Sequence, residues 1–302
     1  MNKKINAFKE LKQFEICTGI GCKNMCKYCP QDTIIEAYKC REKMMSLNTF
    51  KVCVDQIPKH IRIVFGGMSE PFLNKDCIKM VEYVHEKGYK IDIFTTGVGI
   101  KKKDIELFKR IPFHAFELHL PDNDGNTTIE PTEEYLDIVK GIRKNVPNME
   151  YKMFGKPHFK IQKALGEEIE DLSRILHNRA GNNIHMKSQY CAGIIECRYA
   201  GKFLNNNVLL PNGDITLCDM DYGLKYVFGN LIETPYKELL DSEKFQKFIK
   251  ILNTNNGEIL CRHCAYVRRM NTQLDRIRAR WDDSSTKMKI YKIYKKARKI
   301  LK

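Results

Sequence analysis

Three cysteines, Cys22, Cys26 and Cys29, fall within the stretch IGCKNMCKYCPQD, with Tyr28 just before the last and Pro30 just after it. Thiols gathered this tightly serve a disulfide knot, a zinc site or an iron–sulfur cluster. The chain has twelve cysteines among 302 residues, a length that builds a core without covalent staples, which argues against the first use. A structural zinc ion normally takes four ligands, often as two pairs, whereas CxxxCxxC offers three from one loop. Three thiolates on a [4Fe–4S] cube leave one iron open to a small molecule, and the Tyr28 ring is placed to pack against that molecule's base.

A second set, Cys197, Cys218, Cys261 and Cys264, is spread over NVLLPNGDITLC, a helical stretch near 235–252 and the pair CRHC. The Asn212-Gly213 dipeptide marks a hairpin turn before Cys218. Four thiols on a hairpin and a knuckle suit either zinc or a fully ligated cluster. Cys191, six residues before Cys197, is an alternative fourth ligand. Cys53 and Cys77 lie in helical apolar patterns and read as core thiols.

These residues need a scaffold, and the first half of the chain supplies its pattern. Strand candidates are FEIC (14–17), IRIVF (61–65), KIDIFTT (90–96), FELHL (116–120), EYKMF (150–154) and IHMKS (184–188), separated by helical stretches such as PTEEYLDIVKGIRKNV. Six strand–helix repeats predict a parallel α/β array. Alternate strand positions place Glu15, Arg62, Asp92, Glu117, His119, Lys152, His185 and Lys187 on one face. Ile16, Ile63, Ile91, Ile93, Phe116, Leu118, Leu120, Met153 and Met186 fall on the other. A sheet with one polar face fits an open barrel with a polar lumen, or a charge network tying its strands together. The glycine-rich loop GGMSEP (66–71) follows the second strand and TTG (95–97) ends the third.

CxxxCxxC after a first strand, GGMSEP after the second and TTG after the third together resemble the radical S-adenosylmethionine (radical SAM) superfamily. The resemblance covers about residues 12–190 and implies a partial (β/α)6 barrel with a [4Fe–4S] cluster on Cys22, Cys26 and Cys29. It also implies that Gly67, Met68, Ser69 and Glu70 hold the methionine end of S-adenosylmethionine, and that Thr95 and Thr96 contact its ribose or carboxylate. The second cysteine set is similar to a twitch domain, the shortened form of SPASM, and implies one auxiliary [4Fe–4S] cluster. The expected organisation is a barrel over 12–190, a small α+β iron–sulfur module over 191–266 and a basic helical tail over 267–302.

What the resemblance implies chemically is hydrogen abstraction from a substrate C–H by a 5′-deoxyadenosyl radical. An auxiliary cluster saturated by four thiolates suits electron transfer, hence oxidation of an alcohol carbon, as in twitch-bearing dehydrogenases of aminocyclitols. The expected substrate is a sugar, a cyclitol or a nucleotide-linked sugar, and the reductant a flavodoxin or ferredoxin. Glu117 and His119, two apart on one strand face, are the candidate bases. Open alternatives are an epimerase returning hydrogen from Cys17 or Cys191, a peptide maturase, and a non-catalytic iron–sulfur or zinc protein that binds RNA.

The net charge of +15 is unevenly placed: thirteen Lys and Arg follow Cys264 against Asp275, Asp282 and Asp283, so this segment carries ten of the fifteen charges. The tail is either a helix whose apolar stripe packs on the protein or a basic amphipathic surface for an anionic membrane or an acidic partner. It has no motif for specific nucleic-acid binding. The start, MNKKINAFKELKQFEICTG, lacks an uninterrupted apolar run, and no run of about 18 apolar residues occurs, so a cytoplasmic setting is expected.

Overall fold

A computed structural model describes residues 11–40, 42–173, 176–183, 185–199, 206–255 and 257–282. Five parallel strands form the barrel wall: β1 (Gln13–Ile16), β2 (Arg62–Phe65), β3 (Ile91–Thr95), β4 (Ala115–Leu120) and β5 (Glu150–Met153). Between them run α1 (Gln31–Ala37), α2 (Leu47–Val54), α3 (Cys77–Glu86), the single turn α4 (Ile105–Phe108) and α5 (Glu133–Asn145), with α6 (Phe159–Leu165) after β5.

The helices form where caps and apolar stripes coincide. Ser46 accepts from Thr49 N to start α2, and Thr132 accepts from Tyr135 N to start α5. In α5, Glu133 and Glu134 occupy the first turn and Arg143 and Lys144 the last, matching both ends of the helix dipole. Ile16, Ile63, Ile91, Ile93, Phe116, Leu118, Leu120 and Met153 are all buried under these helices, as strand alternation predicts. Cys53 and Cys77 are buried in this core as well.

The sixth candidate strand is not formed. Ile184 lies outside the described residues, and 185–188 are turn and irregular chain. The Asn183 side chain accepts from His185 N at 3.1 Å, a local turn that competes with strand pairing. The edge of β1 is taken by the C-terminal hairpin instead. Its strand β7 (Val208–Leu209) runs parallel to β1, then pairs antiparallel with β8 (Asp214–Thr216), which pairs with β9 (Val227–Asn230). The eight-stranded order is β5-β4-β3-β2-β1-β7-β8-β9, so the hairpin expected in a separate module continues the barrel sheet.

The turn at Asn212-Gly213 is present, with Gly213 at φ +90°. A separate two-stranded ladder joins β6 (Ile195–Cys197) to β10 (Val267–Arg269), beyond α7 (Tyr236–Asp241) and α8 (Glu243–Leu252). The last described helix is α9 (Gln273–Asp282), so the 283–302 part of the expected basic tail lies outside the described residues.

Candidate active site

The loop leaving β1 carries Cys22, Cys26 and Cys29, and four partners fix it. Cys29 N donates to Cys26 O at 2.9 Å, closing a turn between two thiols. Gln31, the first residue of α1, accepts from Cys22 N at 3.2 Å and donates to Cys29 Sγ at 3.3 Å and Met68 O at 2.5 Å. One buried amide therefore joins both ends of the thiol loop to the glycine loop after β2. Asn24 donates to Thr96 Oγ1 at 2.9 Å, tying the thiol loop to the end of β3. From the loop after β4, Thr128 N donates to Asn24 O at 3.0 Å.

Glu70 organises the next layer. Its Oε1 accepts from Thr95 Oγ1 at 2.6 Å and Phe72 N at 3.2 Å, and its Oε2 accepts from Thr96 N at 2.6 Å and Thr96 Oγ1 at 2.7 Å. Four donors fill the acceptor positions of a carboxylate, so Glu70 binds the ends of β2 and β3 to each other. Burial pushes its pKa up, and the hydrogen bonds oppose this. Gly67, at φ +82°, lets the loop pass over buried Glu15: an added Cβ would lie 2.2 Å from Glu15 Oε1.

The polar sheet face is a lumen laced by ion pairs. Arg62 and Asp92 pair at 3.3 Å, and Glu117 lies 3.8 Å from both His119 Nε2 and Lys152 Nζ. Burial raises the Glu117 pKa, but His119 and Lys152 outweigh it and hold the carboxyl below its ordinary range. The His119 ring packs edge-on against Phe154, which also packs against Tyr28.

Three lumen residues escaped the sequence reading. Arg179, at φ +48°, lies 4.0 Å from Asp219, and the Tyr222 hydroxyl lies 3.5 Å from Cys29 Sγ. Burial and Asp219 push the Glu15 carboxyl up against the pull of Arg179, so these charges share one neighbourhood. Nothing in the local sequence marks Arg179: its place depends on left-handed backbone at Arg179 and Ala180, at the start of a short 3-10 turn over Arg179–Gly181.

One cavity of about 110 Å³ is lined by Cys22, Cys26, Cys29, Tyr28, Gly67, Met68, Ser69, Glu70, Thr95, Thr96 and His119, together with Arg179 and Tyr222. Every expected ligand and cofactor-contact residue of the barrel thus reaches the same space. His185 and Lys187, expected in the lumen, line other clefts. The donor set fits a cluster with one open iron. Burial raises the Cys22 pKa, with the charge of Cys29 adding, and lifts Cys26 to about 12, with Cys29 and Cys22 adding, as sulfurs gathered in one place require. No disulfide joins any of the cysteines.

The second set also assembles. β6 brings Cys197, the end of the β7–β8 hairpin brings Cys218, and a 3-10 turn at Leu260–His263 brings Cys261 beside Cys264. Burial pushes Cys261 well up, with Cys197 and Cys264 adding to it, and Cys264 is pushed to about 12 by burial with Cys197 and Asp219 adding. Cys197 is the common neighbour, its charge acting on Cys218, Cys261 and Cys264, and four such thiols are the donors of a cluster held wholly by protein. Within the knuckle, Arg262 is fully buried and donates to the carbonyls of Gly257, Cys191, Gly193, Ile251 and Thr254. The Cys191 backbone is therefore pinned to this knuckle, while its residue lines an outer cleft beside Cys264.

The radical SAM superfamily profile matches residues 16–166, and the iron–sulfur cluster-binding SPASM domain matches residues 197–265. Among solved structures, the chain is similar to BtrN in complex with AdoMet and 2-DOIA, with 19% identity and a TM-score of 0.59 over 88% of this chain and 94% of BtrN. It is also similar to anSMEcpe with bound AdoMet, with 16% identity and a TM-score of 0.53 over 85% of this chain and 84% of the other. For anSMEcpe with AdoMet and the Kp18Cys peptide the values are 14%, 0.52, 85% and 86%. At these identities the likeness is one of fold. No curated protein sequence matches the chain.

Proposed function

Because the chain belongs to the radical SAM superfamily, an enzyme family using a [4Fe–4S] cluster and S-adenosylmethionine, we propose that it oxidises an alcohol carbon of a sugar or cyclitol. The observation that carries this reading is the single cavity uniting the three thiols, the Glu70–Thr95–Thr96 clasp and His119. When bound, the first cluster with S-adenosylmethionine supplies the 5′-deoxyadenosyl radical that takes hydrogen, and the second supplies an electron acceptor.

The chain's own task is to hold the substrate, exclude water and take the hydroxyl proton. His119 is suited to the last: it lines the cavity and is braced by Phe154. Glu117, held ionised by His119 and Lys152, is the weaker base and serves to orient the imidazole. Arg179, on the same wall and paired with Asp219, would bind a substrate oxygen and lies in the charge neighbourhood of Cys29.

Oxidation is favoured over epimerisation by where the spare thiols lie. Cys17 is fully buried and donates to Gly19 O at 3.2 Å, and Cys191 lines the separate cleft beside Cys264. A thiol that returns hydrogen must face the substrate. The fold likeness to anSMEcpe, solved with a peptide, supports a peptide substrate as the second reading. Removing Cys261 and Cys264 together tests the oxidation: 5′-deoxyadenosine should still form while oxidised product falls away. Unchanged product yield would contradict it.

A further inference from the structure

Helix α9 turns its apolar side away from the protein. Ala279 is 6% exposed and faces inward, whereas Leu274, Ile277 and Trp281 are 67%, 54% and 56% exposed. At about 100° per residue those three side chains fall within an arc of roughly 60°, opposite Ala279. Arg278 and Arg280 stand on either side of the arc, both exposed. The helix is fixed in this orientation. Thr272 and Asp275 form a reciprocal cap, and Arg268 Nη1 on β10 donates to Ala279 O at 3.5 Å. The apolar stripe expected of the tail, at Met288, Tyr291 and Tyr294, lies outside the described residues.

Single exposed apolar residues are ordinary, but three on one arc between two arginines are a surface. We propose that this face of α9 seats the protein on an anionic lipid surface. α9 itself carries Arg276, Arg278 and Arg280 against Asp275 and Asp282, and beyond Asp283 the sequence adds eight Lys and Arg and no acid, so the chain from α9 onward is strongly basic. Leu and Ile facing outward, Trp at the interface and flanking cations are what a helix lying in the headgroup plane requires. Among the described residues no helix is long and apolar enough to cross a membrane. The inference is independent of the substrate, since it uses no residue of the cavity.

Trp281 is the single tryptophan of the chain and reports on its own face. The intact reconstituted protein is titrated with phosphatidylcholine vesicles, with and without phosphatidylglycerol, while tryptophan emission is followed. A blue shift with the anionic vesicles, quenched by brominated lipid and weakened by salt, is expected. Replacing Arg278 or Arg280 with Ala should weaken binding about fivefold each, from the attraction of one cation to an anionic surface. Leu274→Ser with Ile277→Ser should abolish it, with iron content and 5′-deoxyadenosine formation in solution unchanged. Three results would overturn the proposal. Emission could be indifferent to both vesicles or respond equally to them. Trp281 could already be blue-shifted and shielded from acrylamide in buffer, because a second copy or residues 283–302 cover it. It could shift only with an acidic polypeptide.

Discussion

Arg262 sits inside CRHC, and its loss should release the second cluster while sparing the first. Its five N–H donations hold the carbonyls of Gly257, Cys191, Gly193, Ile251 and Thr254 around the turn that presents Cys261 and Cys264. Hydrogen bonds from a charged donor contribute about 1.5–3 kcal/mol each, so five taken additively would rival the roughly 5–15 kcal/mol stability of a whole domain. They share one rigid group and are not additive. Water entering the vacated space also restores part of the loss. Arg262→Met should therefore destabilise the knuckle by about 3–5 kcal/mol, the range for stripping one member from a buried charged network. That raises its open population by roughly two to four orders of magnitude. Iron per chain is measured after anaerobic reconstitution and chelator challenge. The parent should keep about eight irons, four per cubane, and the variant about four, with 5′-deoxyadenosine formation retained. If Arg262→Met keeps both clusters through the challenge, or loses both equally, the argument fails.

Three further outcomes are expected. Replacing Cys22, Cys26 and Cys29 together with Ala should remove about half the iron and abolish 5′-deoxyadenosine formation, read by metal analysis and chromatography. His119→Gln should lower oxidised product by on the order of a hundredfold without stopping S-adenosylmethionine cleavage, and Glu117→Gln should cost less; equal losses would reverse their roles. Burial, with Arg179 adding to it, depresses the His177 pKa to about 4 from its ordinary 6.5. The unfolded chain then binds the extra proton between these values, so stability is fully present above about 6.5 and declines as pH falls toward 4. His177→Gln should flatten that decline in thermal midpoints measured from pH 7 to 5.

The barrel was legible because its signals are local. In β3 and β4, Ile91, Ile93, Phe116 and Leu118 flank the polar Asp92 and Glu117 in strict alternation, and β2 reads as a short apolar run, Ile63-Val64-Phe65. CxxxCxxC is equally local, since one loop supplies all three thiols. IHMKS misled because alternation is blind to the Asn183 turn before it. Glu70 was named, but its bonds to Thr95 and Thr96 depend on how two strand ends align in space. The same limit hid Gln31, Arg179 and Arg262, polar residues whose partners are mostly set by the fold. In α9 the side facing the protein depends on the small Ala279 resting near β10, a contact that no sequence pattern marks.

The central claim is net two-electron oxidation within the cavity shared by the three thiols and His119. Its most direct test is an anaerobic reaction in deuterium oxide with S-adenosylmethionine and a panel of cyclitol and sugar alcohols, comparing product mass with 5′-deoxyadenosine formed. The account predicts one product lighter by two hydrogens for each 5′-deoxyadenosine. A product heavier by one mass unit, with solvent deuterium on carbon and no net oxidation, would contradict it.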